Sequence, residues 1–294
     1  MRVVSTSPSG TEILCALGVD PVAVSHACDY PPRVRDLPVL DRSPVDATAS
    51  ADRHAQVERA AGAGHVYEVD TDLLRSLEPD LVLTQEVCGV CAVDAALVDE
   101  VLADADVDPD VVGMSARSLS DVYDCVRRVG RAVGREGRAG EVIDGMRSRI
   151  GSVERRAPEE GPRMAVLEWL DPVRGAGNWV PELVAAAGGT DVLGEAGERS
   201  VEVPWNELRA AAPEVLVLAP CGFDEAETVA RLKELADRPG WEELPAVEDG
   251  RVFALDGASY LTRWTPRLAA ATERLGALAH PATFGPPEAT RLVD

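Results

Sequence analysis

Short β-branched runs alternate along this chain with longer stretches whose apolar positions recur at helical spacing. That alternation is the pattern of parallel α/β units. "RVVSTSPSGTEILCALG" predicts a strand over 2–5, a loop over 6–9 and a helix over 10–17, with Gly18 as its stop. "VAVSHACDYPP" predicts a second strand running into a loop, because Pro31 and Pro32 continue neither a ladder nor a helix. "LLRSLEPDLVLTQ" reads as a helix end, a Pro-Asp corner and a buried strand over 81–84. A helix should begin just after Cys91, "DVVGMS" should be a strand, and "SLSDVYDCVRRVGRAVG" a further helix.

The segment 135–157 breaks the alternation. Val142, Ile143, Met146, Ile150 and Val153 recur at helical spacing with charge on the other faces, and no strand fits inside it. It predicts one helix about 30 Å long, ended by "PEEGP". The strand–helix pattern then restarts with "RMAVLEWLDP" and "GNWVPELVAAAGGTDVLG". "LLRSLEPDLVLTQEVCGV" and "ELRAAAPEVLVLAPCGF" run in the same order: helix end, Pro-acid corner, buried strand, cysteine loop. A half-molecule is therefore expected twice. The expected fold is α/β, with two Rossmann-like lobes of parallel-rich sheet joined by one long helix and a ligand cleft between the lobes. The expected divisions are an N-terminal lobe over 1–134, the connecting helix over 135–158, a C-terminal lobe over 159–282 and a Pro-rich, loosely held tail over 283–294.

Composition narrows the partners. The formal net charge is −22, from 51 Asp+Glu against 29 Lys+Arg, a balance that repels nucleic acid and anionic membranes. Lys233 is the only lysine. Few lysines among many carboxylates suit a halophile's solvent, where salt screens the self-repulsion. The start carries no secretion signal and no apolar stretch reaches a membrane span. The expectation is a cytoplasmic chain, extracytoplasmic only if the true start lies upstream. Its six cysteines should then be reduced thiols or metal ligands.

Unusual residues collect at predicted strand ends, where open α/β sheets bind ligands. The first half contributes Ser7, Ser9, His26, Cys28, Tyr30, Gln85 and Cys88. The second contributes Trp169, Asn178, Trp179, Cys221, Tyr260 and Trp264. Aromatic residues make up only 4% of the chain, so Trp and Tyr in polar loops suit a large, flat, amphipathic ligand, unless Trp169 and Trp264 are core. Cys88 and Cys91 admit three readings: apolar packing at a helix start, a redox dithiol, or metal ligation in which Cys28 and Cys221 complete four thiolates. His26 is a spare ligand. Cys15 and Cys125 fall inside helices and should be buried and inert. No phosphate loop, dinucleotide fingerprint or G-x-S-x-G elbow is present.

"VVSTSPSGTEILCALG", "VSHACDYPP", "DLVLTQEVCGVCAV", "LEWLDP…GNWVPELVAAAGG", "VLAPCGF" and "GRVFALDG" together resemble the cobalamin-binding branch of the substrate-binding proteins of ABC importers. The resemblance covers nearly the whole chain. It implies a ligand binder without turnover, holding cobalamin or a related corrinoid between two lobes, and an ABC-importer permease as partner if the chain is exported. The thiols keep a second reading in view: a cytoplasmic protein of the same fold with Cys-ligated zinc, an iron–sulfur cluster or a redox dithiol.

Overall fold

Residues 1–43, 45, 49–62, 67–86 and 95–293 are described by the computed structural model. They form two units, one of Met1–Thr48, Asp52–Ala116 and Ser120–Ile143, the other of Ala49–Ala51, Arg117–Leu119 and Asp144–Asp294.

The chain begins with β1 (Val3–Ser5) and α1 (Pro8–Ala16). The helix starts two residues earlier than its apolar pattern suggests. Ser7 has extended backbone and its side chain accepts the Gly10 N–H, and Pro8 occupies the first turn, where a missing N–H costs nothing. Next along the chain are β2 (Ala23–Val24), β3 (Asp41–Arg42), α2 (Ser50–Gly62), β4 (Glu68–Val69) and α3 (Thr71–Leu77). Then come β5 (Leu81–Gln85), α4 (Ala95–Ala105), β6 (Asp110–Met114), α5 (Leu119–Ala132) and α6 (Glu136–Arg156). The main sheet of the first unit has the order β2-β1-β5-β6 with every pair parallel. β5 is buried along its whole length, its polar Thr84 and Gln85 included, as in a parallel strand covered on both faces. β3 and β4 form a small separate antiparallel pair.

α6 crosses from one unit to the other, since the division falls between Ile143 and Asp144. Ile143, Met146, Ile150 and Val153 are its buried stripe. The second unit then builds β7 (Arg163–Leu170), β8 (Val173–Gly175), α7 (Val180–Ala186), β9 (Thr190–Asp191), β10 (Val201–Glu202) and α8 (Trp205–Ala211). It continues through β11 (Val215–Leu218), α9 (Glu225–Ala230), α10 (Lys233–Ala236), α11 (Pro245–Glu248) and β12 (Val252–Ala254). α12 (Gly257–Tyr260), α13 (Leu268–Ala279), α14 (Pro281–Phe284) and β13 (Thr290–Arg291) complete it.

β9, β7, β11 and β12 pair in parallel, matching β2, β1, β5 and β6 strand for strand. The second unit adds antiparallel strands: β8 and β10 on one side, β13 on the other. β13 corrects the expectation of a loose tail. It pairs with β12, and Leu292 and Val293 pack against the core around Leu216, Leu218 and Trp241. A free sheet edge and two apolar residues suffice to hold it.

The duplication extends to the backbone. α3 ends at Glu78 with φ 41° and α8 at Ala212 with φ 42°. Both left-handed residues precede a proline, which cannot prolong a helix, and both lead directly into the central strand.

Candidate ligand-binding site

In the first unit the candidate residues gather where the parallel strands end. Ser7 and Ser9 are buried in the turn from β1 to α1, and the Ser7 hydroxyl accepts the Gly10 N–H at 3.2 Å. Gly10 packs closely here: a Cβ would stand 2.8 Å from Met114 Cε and 2.9 Å from Ser5 Oγ, so either side chain would have to shift. Cys28 is buried with Val24 and Val34, its Sγ 3.1 Å from Thr11 Oγ1. Gln85 is buried at the end of β5. His26 and Tyr30 differ: both are exposed, on the loop after β2. His26 Nδ1 lies 3.2 Å from Asp41 Oδ2, and the His26 N–H donates to Asp41 Oδ1 at 2.7 Å. The Ser25 hydroxyl donates to Asp41 Oδ2 at 2.8 Å. The His26 ring packs on Tyr67 with centroids 5.3 Å apart. Neither Asp41 nor Tyr67 stands out in the sequence, since no local pattern ties them to the histidine.

In the second unit, Trp169 sits half-buried near the end of β7, with Nε1 donating to the Asp171 carbonyl at 3.0 Å. Its ring tilts against buried Phe223 with centroids 5.4 Å apart, and the Arg231 guanidinium lies 5.2 Å from the Phe223 centroid. Phe223 and Arg231 also lack a sequence signal. Trp179 and Trp264 meet edge to face at 5.9 Å. At 4% and 5% exposure they are core of this unit, where Trp179 Nε1 donates to the Leu261 carbonyl at 2.9 Å. Asn178 has a left-handed φ of 54°. Among the described residues, nothing bonds its Oδ1 or Trp264 Nε1, although both atoms are buried. Each costs about 1–3 kcal/mol unless a water or ligand satisfies it. Cys221 is half-buried, its N–H donating to the Glu168 carbonyl at 2.9 Å. Tyr260 is half-buried with the Arg274 guanidinium 4.0 Å above its ring.

The thiols divide similarly. Cys88 and Cys91 lie outside the described residues. Cys15 and Cys125 are free thiols. Burial pushes the Cys15 and Cys125 thiols up to about 11 each, which keeps both protonated and unreactive near neutrality. Of the remaining described pair, Cys28 belongs to the first unit and Cys221 to the second. Among the described residues no three His, Cys, Asp or Glu side chains gather to hold a metal ion.

Residues 3–258 match the family model described as "Periplasmic binding protein". The chain belongs to the periplasmic binding protein family. Across 292 residues it is 26% identical to the uncharacterized ABC transporter substrate-binding lipoprotein YvrC of Bacillus subtilis, covering 96% of this chain and 81% of that one. Among solved structures it is similar to the periplasmic heme-binding protein RhuT from Roseiflexus, in apo form. The TM-score is 0.69 at 24% identity, over 94% of this chain and 97% of that one. It is also similar to the periplasmic vitamin B12 binding protein BtuF of Vibrio cholerae, with a TM-score of 0.65 at 18% identity, over 94% and 95% of the two chains.

As a periplasmic binding protein, the chain is a substrate-binding component of an ABC importer and not an enzyme. The two-lobed α/β fold expected from the sequence is the fold of this family. The cytoplasmic location expected from the start of the sequence is overturned: the family and the lipoprotein relative are extracytoplasmic. The reading as a cytoplasmic zinc, iron–sulfur or dithiol redox protein finds no support among these relatives, and neither does the halophilic reading of the charge.

Proposed function

We propose that this protein captures a metal tetrapyrrole, a corrinoid such as cobalamin or its close chemical relation heme, and delivers it to an ABC-importer permease. The observation that carries the reading is the kinship with one fold family in which a heme-binding and a vitamin B12 binding protein both occur. The two cargoes share a broad, largely apolar macrocycle with polar groups at its rim and a metal at its centre. The chain's own residues suit that shape. Tyr30, exposed on the loop after β2, and Trp169, half-buried near the end of β7, are aromatic surfaces at strand ends, which favour flat, amphipathic partners. The unbonded Asn178 Oδ1 and Trp264 Nε1 are polar atoms that a bound molecule or water would satisfy. Ser7, Ser9, Cys28 and Gln85 then serve as the floor beneath the exposed loops, since all four are buried. Cobalamin is the favoured member of the pair because the cysteine and tryptophan motifs resemble the cobalamin-binding branch.

Gel filtration after mixing with aquacobalamin or ferric heme tests the reading. The visible band of one chelate should travel with the protein, and Trp169→Ala should weaken its retention about tenfold or more, the loss of one aromatic anchor. Passage of both chelates as free small molecules would refute the proposal.

A further inference from the structure

β2 is the edge strand of the first unit's main sheet, and the neighbouring segment fixes the path of the chain beyond it. Val24 bridges Val39 in parallel, with Val24 N–H donating to the Pro38 carbonyl at 3.0 Å and Leu40 N–H to the Val24 carbonyl at 2.9 Å. Two residues further along both segments, the same offset of 15 places His26 beside Asp41. β3 holds Asp41 in place through its pairing with β4, Asp41 opposite Val69. Tyr67, just before β4, backs the imidazole.

The result is a histidine with one ring nitrogen fixed and the other unused. The Asp41 side chain is 1% exposed, and its two oxygens already take the Ser25 hydroxyl and the His26 backbone N–H. Those bonds satisfy Asp41 as a piece of structure without the ring. The imidazole nevertheless turns Nδ1 toward Asp41 and Ser25, 3.2 Å from Asp41 Oδ2 and 3.4 Å from Ser25 Oγ; a proton on Nδ1 beside the carboxylate leaves the lone pair on Nε2. Among the described residues, nothing bonds Nε2, and the side chain is 33% exposed. A ring set against a buried carboxylate at one nitrogen, with the second left open, is an arrangement by which proteins orient a metal-ligating histidine.

We propose that His26 Nε2 is the protein's ligand to the metal of the captured chelate, with Asp41 as its positioning residue. The inference rests on the tetrapyrrole reading above and names the chemistry of its site. A tetrapyrrole supplies four equatorial nitrogens, so one axial imidazole is enough. The step is a ligand exchange: the Nε2 lone pair forms a dative bond to the metal, and the axial water or base previously there leaves. No electron is transferred. This bond would add orientation to an interaction otherwise made by flat surfaces.

The test uses the full chain, reduced cobalamin with its unpaired electron on cobalt, and ferric heme. In the paramagnetic resonance spectrum of the cobalt complex, the splitting from the axial nitrogen should change when the protein's histidines carry the heavy nitrogen isotope. His26→Ala should abolish that change while the chelate still travels with the protein. For heme, the same substitution should shift the main visible band to that of a water-ligated iron. His26→Gly with added imidazole should recover the wild-type spectrum, which a merely misfolded variant would not do. Asp41→Asn should retain the nitrogen signature and weaken retention about ten- to hundredfold. If wild type retains a chelate but its spectrum ignores both the isotope and His26→Ala, the ligand assignment is wrong and the binding reading stands. If wild type retains neither chelate, the binding reading falls and takes the ligand assignment with it.

Discussion

Ser7 holds the first turn of α1 with its hydroxyl, so removing it acts on the fold before it acts on any cargo. Ser7→Ala should cost about 1 kcal/mol, read as a lower urea midpoint with an unchanged slope. Asp191 offers a sharper test. It accepts N–H bonds from Leu193 at 2.9 Å and Gly194 at 2.8 Å, yet burial dominates and pushes its carboxyl from 3.8 up to about 6. A carboxyl with a higher pKa folded than unfolded binds more protons in the folded state. Its stabilising effect is complete below about pH 4 and is lost as the pH rises through about 6, a change of up to about 3 kcal/mol. Asp191→Asn cannot ionise there, so the stability difference between wild type and variant should move against wild type across that window. Identical pH profiles would contradict burial as the cause. Residues of this kind separate by what a local pattern carries. His26 and Trp169 stand out in the sequence because His and Trp are scarce and lie beside predicted strand ends. Asp41 and Phe223 do not, because an aspartate among 51 acidic residues or a phenylalanine in a loop becomes notable only through its partner.

At the scale of elements, the repeated helix–proline–strand corner is the most legible part of the chain. The Pro79-Asp80 and Pro213-Glu214 pairs mark where each helix must stop, and the apolar runs after them become β5 and β11. The letters hide the left-handed turn at Glu78 and Ala212, a conformation that costs a residue with a Cβ about 1–2 kcal/mol. Glu78→Gly and Ala212→Gly should each raise stability, by up to about 1 kcal/mol once the greater freedom of glycine in the unfolded chain is subtracted. Denaturant titration of both variants checks this, and similar gains are expected because the two corners share one geometry. A loss at either site would mean that the side chain makes a contact worth more than the strain. The added strands β8, β10 and β13 are the least legible elements. Each is two or three residues long, too short for alternation to register, and each exists because a neighbour offers a free edge. Gly257 marks another such dependence: a Cβ there would stand 2.4 Å from the Pro220 carbonyl oxygen. The loop after β12 therefore lies tightly over the loop after β11, a closeness that no spacing in the sequence encodes.

For the whole molecule, charge and cargo set the expectations. With a net charge of −22, self-repulsion opposes the folded state, and salt near 1 M shortens the screening length to about 3 Å. The melting temperature should rise with sodium chloride. A fall would mean that ion pairs such as Arg149–Glu273, joined at 2.6 and 2.8 Å, outweigh the repulsion. Cargo should stabilise the protein further in proportion to the logarithm of its concentration over its Kd. Composition carries the sign of the charge effect but not the compartment, because the start of a sequence says little about where its family works. The decisive measurement is a calorimetric titration of the wild-type protein with aquacobalamin and, separately, with ferric heme. The account predicts that one of them saturates at one chelate per chain with a Kd of about 1 μM or tighter; no binding of either at about 100 μM would contradict it.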